Sequence, residues 1–243
     1  MAALHAFPDG GYGFLEGGFP YSQGVVALPG HAIERARFRT PVPLMQGFAL
    51  IERHLEAAGR PPTALCAAEL RSPRPFTFAG FAEFNQGYVA VLEKWGLYRE
   101  KLNPVARSNV APESGAPAEP CFYAFCYTVP ASGPRTFVVA GSGEWPEGGR
   151  FPEDIVARGD TSDAGMRRKA AFVLGKMEQR MQGLGGFGWK DATVVQVYSA
   201  FQFPVDEVAR RAGPSLAWHW CRPPIEGLDY EMDLRAVSVE RVL

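Results

Sequence analysis

Two stretches roughly half the chain apart, IERHLEAAG at 51–59 and MEQRMQGLG at 177–185, can be laid on each other without a gap. Their final glycines, Gly59 and Gly185, then coincide, and both stretches have the pattern of a helix that ends at a glycine. Six apolar residues fall on one face of the second helix: Ala170, Val173, Leu174, Met177, Met181 and Leu184. Each glycine is predicted to take the left-handed conformation that often follows a helix.

The segments that follow the two helices are also alike. A short connector leads to a strand-like run, TALCAAEL at 63–70 in the first half and DATVVQVYSAF at 191–201 in the second. Helix, glycine and strand, twice in this order, indicate a duplicated unit of helices and sheet. The alternative is coincidence, since this local order is common. A proline- and glycine-rich segment, PASGP at 130–134, predicts a division into domains 1–133 and 134–243.

Composition excludes several classes of protein. The chain has 243 residues, a net charge of −1 and 21% charged residues, so no strong field attracts nucleic acid or an anionic membrane. The N-terminus lacks the pattern of a signal peptide, and no run is long enough to span a bilayer. The four cysteines are scattered without metal-ligand spacing, which predicts reduced thiols and a cytoplasmic protein.

Three motifs resemble the Rid superfamily, the reactive-intermediate (enamine/imine) deaminases. They are FPYSQGV at 19–25, FAEFNQGYVAVL at 81–92 and NPVARSNVAPE at 103–113, in the order in which that family has them. The resemblance implies an α+β fold of tandem duplicated chorismate-mutase-like (Rid-type) domains, each a mixed β-sheet backed by helices. It also implies a homotrimer, with sites in the clefts between neighbouring domains.

The third motif carries the predicted substrate anchor. It is interpreted as a turn-rich loop, and its arginine, Arg107, matches the family's carboxylate-binding arginine. A guanidinium offers a planar fork that fits a carboxylate, and the loop around Ser108 and Asn109 adds hydrogen bonds. The alternative is a surface arginine paired with Glu113 or Glu119.

Hydrolysis of an enamine needs one carboxyl group that moves protons and a water beside it, so neither a metal nor an organic cofactor is demanded. The family places a glutamate on its closing strand, but CFYAFCYTV at 121–129 has no acid. The second half has Glu231 and Asp233, which share one face of a strand. Asp233 is the preferred acid and Glu231 the register-shifted one, in a site composed from both halves; the alternative is two acids on a solvated face.

The remaining candidates are aromatic and basic. Tyr21 lines the cleft, as its family counterpart does, or packs in the core. WHWCRPP at 218–224 lies where the second half would have its own arginine loop. Arg222 is therefore a candidate second carboxylate anchor with His219 near it, or else it forms a local salt bridge. A Cys221 nucleophile is the weaker interpretation.

The function that these motifs predict is hydrolytic deamination. Tandem members of the superfamily that this chain resembles act on muconate-type products of aromatic ring cleavage. The predicted substrate is 2-aminomuconate or a substituted (chloro) derivative, a small dicarboxylate that releases ammonia. Two rival functions stay open: a chorismatase-like hydrolase, and a non-catalytic protein that binds small carboxylates.

Overall fold

The computed structural model describes residues 2–243, which form two β-sheets with helices packed on them. The helices are α1 (Leu44–Ala57), α2 (Phe78–Lys94), α3 (Asp163–Gly183) and α4 (Val205–Ala212). The strands are β1 (Leu4–Phe7), β2 (Tyr12–Leu15), β3 (Gly24–Ala27), β4 (His31–Pro43), β5 (Leu65–Arg71), β6 (Ala106–Pro112), β7 (Cys121–Pro130), β8 (Phe137–Gly143), β9 (Val194–Tyr198), β10 (Leu216–His219), β11 (Cys221–Arg222), β12 (Glu231–Ala236) and β13 (Glu240–Val242).

The two sheets contain the same arrangement of four strands. The seven-stranded sheet has the order β1-β2-β3-β8-β12-β9-β10, and the six-stranded sheet has the order β11-β6-β5-β7-β4-β13. Within each set of four strands one pair is parallel, β5 with β6 and β9 with β10, and the next strand inward is antiparallel to it. The added strand β13 is also parallel to its neighbour, β4. The helices α1 and α2 pack in one apolar core with the six-stranded sheet, and α3 and α4 in the other.

The predicted fold class, tandem chorismate-mutase-like domains of the Rid type, is wrong. The halves do not keep to separate sheets, because β1, β2 and β3 extend the sheet of the second half. In return, β11 and β13 extend the sheet of the first half. An unpaired sheet edge gains backbone hydrogen bonds from any strand that reaches it, so these exchanges cover the edges irrespective of chain order. The domain boundary at 133/134 stays a prediction.

The NPVARSNVAPE stretch is a buried strand and not the predicted loop. Its central residues form β6, whose Arg107 lies opposite Ala68 in the parallel ladder with β5. The backbone N–H of Ser22 also donates to the carbonyl of Val105, 2.9 Å away. Pro104 and Pro112 therefore bracket the strand without breaking it, because neither has to donate within the ladder.

The helix α3 has the predicted apolar face. Ser162 caps its start, with its hydroxyl accepting from the Gly165 N–H at 3.3 Å. The six residues of the predicted stripe are all buried against the seven-stranded sheet. Gly59 after α1 has the expected left-handed φ of +65°, whereas Gly185 has φ of +133°. The left-handed conformation is thus confirmed for Gly59. Gly185, at the same distance from the end of its helix, has a positive but more extended φ, and the left-handed residue is the following one, Gly186, with φ of +80°.

The layer between the two sheets is polar. Arg35 donates to both carboxylate oxygens of Glu69, at 2.6 and 2.7 Å, within the six-stranded sheet. Arg235 of the other sheet lies 3.9 Å from the same carboxylate. Because a buried charge is costly unless it is paired, these contacts fix how one sheet sits on the other.

Two chain-wide features complete the description. No helix within residues 2–243 is long and apolar enough to cross a membrane. Each of the four cysteines is buried as a free thiol. The predicted homotrimer and cytoplasmic location stay predictions.

Candidate active site

One large cleft, with a volume of about 940 Å³, opens where elements of both halves meet. Its walls come from β6 and α2 of the first half and from β8, β12 and the end of α3 of the second. Three irregular segments complete the rim: 16–23, 145–148 and 224–228. The lining is mainly aromatic and apolar, and a few charged groups face into it.

Arg107 is the central cation of this cleft. Its side chain is buried, and its Nη2 donates to Asn85 Oδ1 on α2 at 2.7 Å. The guanidinium carbon lies 4.9 Å from the ring centre of Tyr21 and 4.8 Å from that of Tyr88. Nη1 is buried without a hydrogen-bond partner. Burial lowers the pKa of Arg107, but an arginine stays protonated, so the site holds a cation with an unused donor.

The next two residues of β6 face opposite sides of the strand: Ser108 faces the interface between the sheets, and Asn109 faces the cleft. Asn109 lines the cleft, with its Oδ1 accepting from the Ser72 hydroxyl at 2.9 Å and its Nδ2 unpaired. Ser108 points the other way, and its hydroxyl donates to Asp233. Tyr21 is half-buried in the cleft wall, where burial raises its pKa.

Glu231, at the start of β12, is the acid that lines the cleft. Its side chain is buried, and burial raises the pKa of its carboxyl group well above the usual value, with Asp233 adding to the rise. Arg180 and Arg107 act in the opposite direction. The room for this carboxyl depends on Gly141 of β8, since a Cβ there would overlap Glu231 Oε1. Burial therefore favours the protonated form of Glu231 at the cleft wall, which suits this carboxyl group to donate a proton.

Arg180, on α3, is a second buried cation in the cleft wall. Its Nη1 donates to the carbonyls of Ala140 and Gly141 at 2.9 and 3.3 Å. Its Nη2 forms an ion pair with Glu147, and its Nε is buried without a partner. The carboxylate of Glu147 also accepts from the Gln23 amide at 2.8 Å.

A buried lysine fixes the wall next to Glu231. The Lys169 ammonium on α3 lies 3.1 Å from Glu144 Oε1 and 2.8 Å from Asp229 Oδ2, with no exposure to solvent. Glu144 also accepts from the backbone N–H groups of Asp229 and Tyr230 at 2.7 and 3.1 Å. The entry to β12 is thus tied to the end of β8, which holds Glu231 in place.

Asp233 is buried in the sheet interface and does not line the large cleft. It accepts from the Ser108 hydroxyl, from Gln196 Nε2 at 2.8 Å and from the Tyr198 hydroxyl at 3.0 Å. The alternative of two acids on a solvated face is wrong, because Glu231 and Asp233 are each only 4% exposed. The two acids differ in their surroundings: Asp233 accepts three hydrogen bonds from the protein, whereas Glu231 faces the cleft.

We expect Asp233→Asn to act on stability more than on turnover. The amide cannot accept all three hydrogen bonds, so the free energy of unfolding should fall by about 1–3 kcal/mol. Turnover should fall by less than about tenfold, since the carboxyl does not face the cleft. Urea unfolding and steady-state kinetics on the same preparation measure both quantities. Abolished turnover at full stability would instead assign the proton transfer to Asp233.

The predicted second anchor lies outside the cleft. Arg222 is part-exposed and pairs with Glu113, the residue that one interpretation had paired with Arg107. The Nε2–H of His219 donates to Gln196 Oε1, 3.1 Å away, and the His219 ring stacks on the Tyr198 ring. Arg222 and His219 therefore do not line the large cleft, because Glu113, just after β6, and Gln196 of β9 take up their polar groups.

Cys221, next to these two residues, is a buried free thiol. Burial raises the pKa of the Cys221 thiol to about 11, which keeps it protonated at neutral pH. A thiol rather than a thiolate is a weak nucleophile. Cys221 packs in a small cluster with Val110 and Tyr198, which is a structural role.

Sequence reasoning missed several residues that line the cleft: Asn85, Gly141, Glu147 and Arg180. For two of them, Asn85 and Arg180, the local sequence contained a sign of a buried polar role. Asn85 is buried on the apolar face of α2, where an amide needs a partner. Arg180 stands inside MEQRMQGLG, next to the apolar stripe, where a solvated arginine is not expected. Glu147 lies in a glycine-rich turn without a local pattern, so only the folded chain places it.

We expect Gly141→Ala to reduce turnover at little cost in stability. The new methyl group would overlap the far end of the Glu231 side chain, which can rotate away, and would stand 3.2 Å from the Ser108 Cα. A displaced acid should lower kcat by about 10²-fold. Thermal unfolding alongside kcat measures the two effects. Gly175→Ala on α3, where an added Cβ meets nothing within 4 Å, serves as a control outside the cleft, and an equal loss there would refute a specific role of Gly141.

The site is a pocket in which a buried arginine with an unused N–H donor lies beside a buried carboxyl group whose pKa is raised. The family model described as 2-aminomuconate deaminase CnbZ matches residues 4–241. A 2-amino-5-chloromuconate deaminase of Comamonas testosteroni is 44% identical over 252 residues, covering 98% of each chain. The chain therefore belongs to the 2-aminomuconate deaminase CnbZ family. The predicted likeness to deaminases of this kind, and the prediction of an enzyme, are confirmed at the level of the family.

Solved structures with a similar overall course of the chain are more distant. A chorismatase is 13% identical with a TM-score of 0.44, covering 93% of this chain and 77% of its own. A cyanuric acid hydrolase is 12% identical with a TM-score of 0.44, covering 87% and 69%. These are not Rid proteins, so the Rid assignment is not supported, in line with the corrected fold class. At such scores the likeness carries no argument about activity.

Proposed function

We propose that this protein deaminates 2-aminomuconate or a substituted derivative by hydrolysis, with Glu231 as the proton-transferring acid. The observation that carries the proposal is a buried, neutral carboxyl group in the same cleft as a buried arginine with an unpaired N–H. The 44% identical deaminase supports the substrate class. The assay below tests a chlorinated substrate separately.

In the first step Arg107 binds the carboxylate next to the amine-bearing carbon. Its unused Nη1 and the Asn109 Nδ2 are buried donors in the cleft wall that await an acceptor. The aromatic rings of Tyr21 and Tyr88 beside the guanidinium lower the local dielectric and strengthen this pairing. The enamine is thereby held at a fixed position relative to Glu231.

In the second step Glu231 donates its proton to the enamine carbon. The nitrogen lone pair becomes the C=N bond of an iminium ion, and Glu231 becomes a carboxylate. A water molecule then attacks the iminium carbon and gives a proton back to Glu231. The hydroxyl proton of the resulting carbinolamine passes to nitrogen, the C–N bond breaks with its electron pair on nitrogen, and ammonia and a 2-oxo dicarboxylate leave.

The protonation state of Glu231 fits this sequence. A carboxyl with an ordinary pKa would be ionised at neutral pH and could not start the reaction as an acid. Burial favours the neutral form here, and the two arginines keep the transient carboxylate from being prohibitively costly. One group therefore serves as acid and then as base.

The test is a direct assay with the purified protein. Enzymatically generated 2-aminomuconate, and separately its 5-chloro derivative, are incubated with the protein while ultraviolet absorbance and free ammonia are followed. We expect absorbance loss with one ammonia per substrate. Chorismate is run in parallel, and turnover of chorismate alone would support the chorismatase-like hydrolase. Carboxylate binding with no turnover of any substrate would support the non-catalytic alternative.

A further inference from the structure

The cleft contains two buried guanidinium groups, and the proposed chemistry uses one of them. Arg180 is 3% exposed, lines the same cleft as Arg107 and acts electrostatically on Glu231, as Arg107 does. Its Nε has no partner, and its Nη2 is bound by the Glu147 carboxylate. A buried arginine that faces a cleft with an unsatisfied N–H is built to receive an anion.

The partner of Arg180 is a solvent-exposed carboxylate, unlike the partners of the buried Lys169. The Glu147 side chain is 47% exposed and lies on a turn outside the regular elements, between β8 and α3. The carboxylates that bind Lys169 are almost fully buried by comparison. An exposed carboxylate can leave its partner at small cost, because an ion pair open to solvent contributes little net free energy.

We propose that Arg180 binds the second carboxylate of the substrate, and that Glu147 occupies this position until the substrate displaces it. Arg180 then selects dicarboxylates over monocarboxylates, a role for which the sequence had favoured Arg222. The backbone carbonyls of Ala140 and Gly141 hold the guanidinium in place while its partner changes. The inference rests on the proposed dicarboxylate substrate, and it is tested by binding rather than by turnover.

The experiment compares two stable probes of equal chain length by isothermal titration calorimetry. cis,cis-Muconate has two carboxylates, and sorbate has one. We expect the native protein to bind muconate at least about tenfold more tightly than sorbate. Arg180→Gln should weaken muconate binding by about 10- to 100-fold and leave sorbate binding within about twofold. Muconate binding no tighter than sorbate binding in the native protein overturns the proposal.

Substitution of Glu147 is expected to change the affinity for muconate in the opposite direction. Glu147→Ala should tighten muconate binding by about two- to fivefold, because no internal carboxylate competes, and should leave sorbate unchanged. Weaker muconate binding in Glu147→Ala overturns the displacement. This variant alters an exposed side chain, so it remains informative if Arg180→Gln folds poorly.

A matched control separates specific from general effects. Arg168→Gln removes an arginine of the same helix that pairs with an exposed carboxylate, Asp160, away from the cleft. It should change neither affinity. An equal loss for both probes in Arg180→Gln would show a merely structural role. Failure of the ammonia assay with intact muconate selectivity would instead reject the proposed deamination and leave this site standing.

Discussion

Glu231→Gln is expected to lower turnover of 2-aminomuconate by about 10²–10⁴-fold without unfolding the protein. The amide keeps the size and the hydrogen-bonding capacity of the neutral acid but has no proton to give. Since burial favours the protonated form of the native group, and the amide is uncharged, the substitution introduces no unpaired charge. Kinetics with ammonia detection and thermal unfolding on the same sample measure the two effects. Glu226→Gln, an exposed carboxyl on the nearby 224–228 segment, should leave both unchanged.

The pH dependence gives an independent check on the same residue. Burial raises the folded-state pKa of Glu231 above the unfolded value, so its stabilising contribution is fully present below the unfolded pKa. That contribution is lost as the pH rises through the folded pKa. The stability of the native protein relative to Glu231→Gln should therefore fall with rising pH. A relative stability that stays constant from about pH 5 to about pH 8 would show a carboxylate already ionised in the folded protein and contradict the proposed acid role.

Activity should follow the same titration. The proton that starts the reaction is present below the folded pKa of Glu231 and absent above it, so the reaction slows as the pH rises through that value. The alkaline limb of the profile of kcat/KM against pH measures the pKa in the free enzyme. An alkaline limb that persists unchanged in the residual activity of Glu231→Gln would assign the titration to another group.

Arg107→Gln is expected to lower kcat/KM by about 10²-fold or more. The substitution removes the charge and the planar fork that hold the substrate carboxylate, and hydrogen bonds to charged groups contribute about 1.5–3 kcal/mol each. Arg107→Lys keeps the charge but lacks the fork, so it should recover only part of the loss. Steady-state kinetics and sorbate titrations measure the effect on turnover and on carboxylate binding.

The arginine control for this variant is Arg168→Gln, which lies on a solvated helix face. It should behave as the native protein in both assays. If Arg107→Gln retains native sorbate affinity and turnover, Arg107 is a packing residue within its aromatic neighbours, and the proposed carboxylate anchor is refuted. If both Arg107 variants lose stability but keep native turnover and sorbate affinity, the hydrogen bond from Arg107 to Asn85 serves folding and not substrate binding.

Much of the secondary structure could be predicted from local pattern. The apolar stripe of α3, the strand-like runs that became β5, β7, β9 and β12, and the glycine after α1 are encoded by residues close together in sequence. The same reasoning failed at NPVARSNVAPE, where the prolines indicated a loop. That stretch is a strand because β5 offers a parallel partner. Its partner lies almost 40 residues earlier, so no local window contains the cause.

The candidate site, like the secondary structure, could be predicted only in part from the sequence. The sequence by itself determined which reactive groups are present: an arginine suited to bind a carboxylate and two acids on one strand. It also indicated the likeness to deaminases. Only the tertiary structure decided which acid faces the cleft, because Glu231 and Asp233 differ in their neighbours and not in their spacing. Asp233 meets Ser108, Gln196 and Tyr198 across the sheet interface, whereas Glu231 meets the gap left by Gly141.

The second cation shows the same limit. Arg222 and Arg180 are equally plausible partners for a dicarboxylate when only their residue type is considered. Folding pairs Arg222 with Glu113 at the surface and buries Arg180 in the cleft. Local sequence sets which side chains exist and which helix face they occupy. Desolvation and long-range partners set their charge and availability, and both are properties of the assembled sheets.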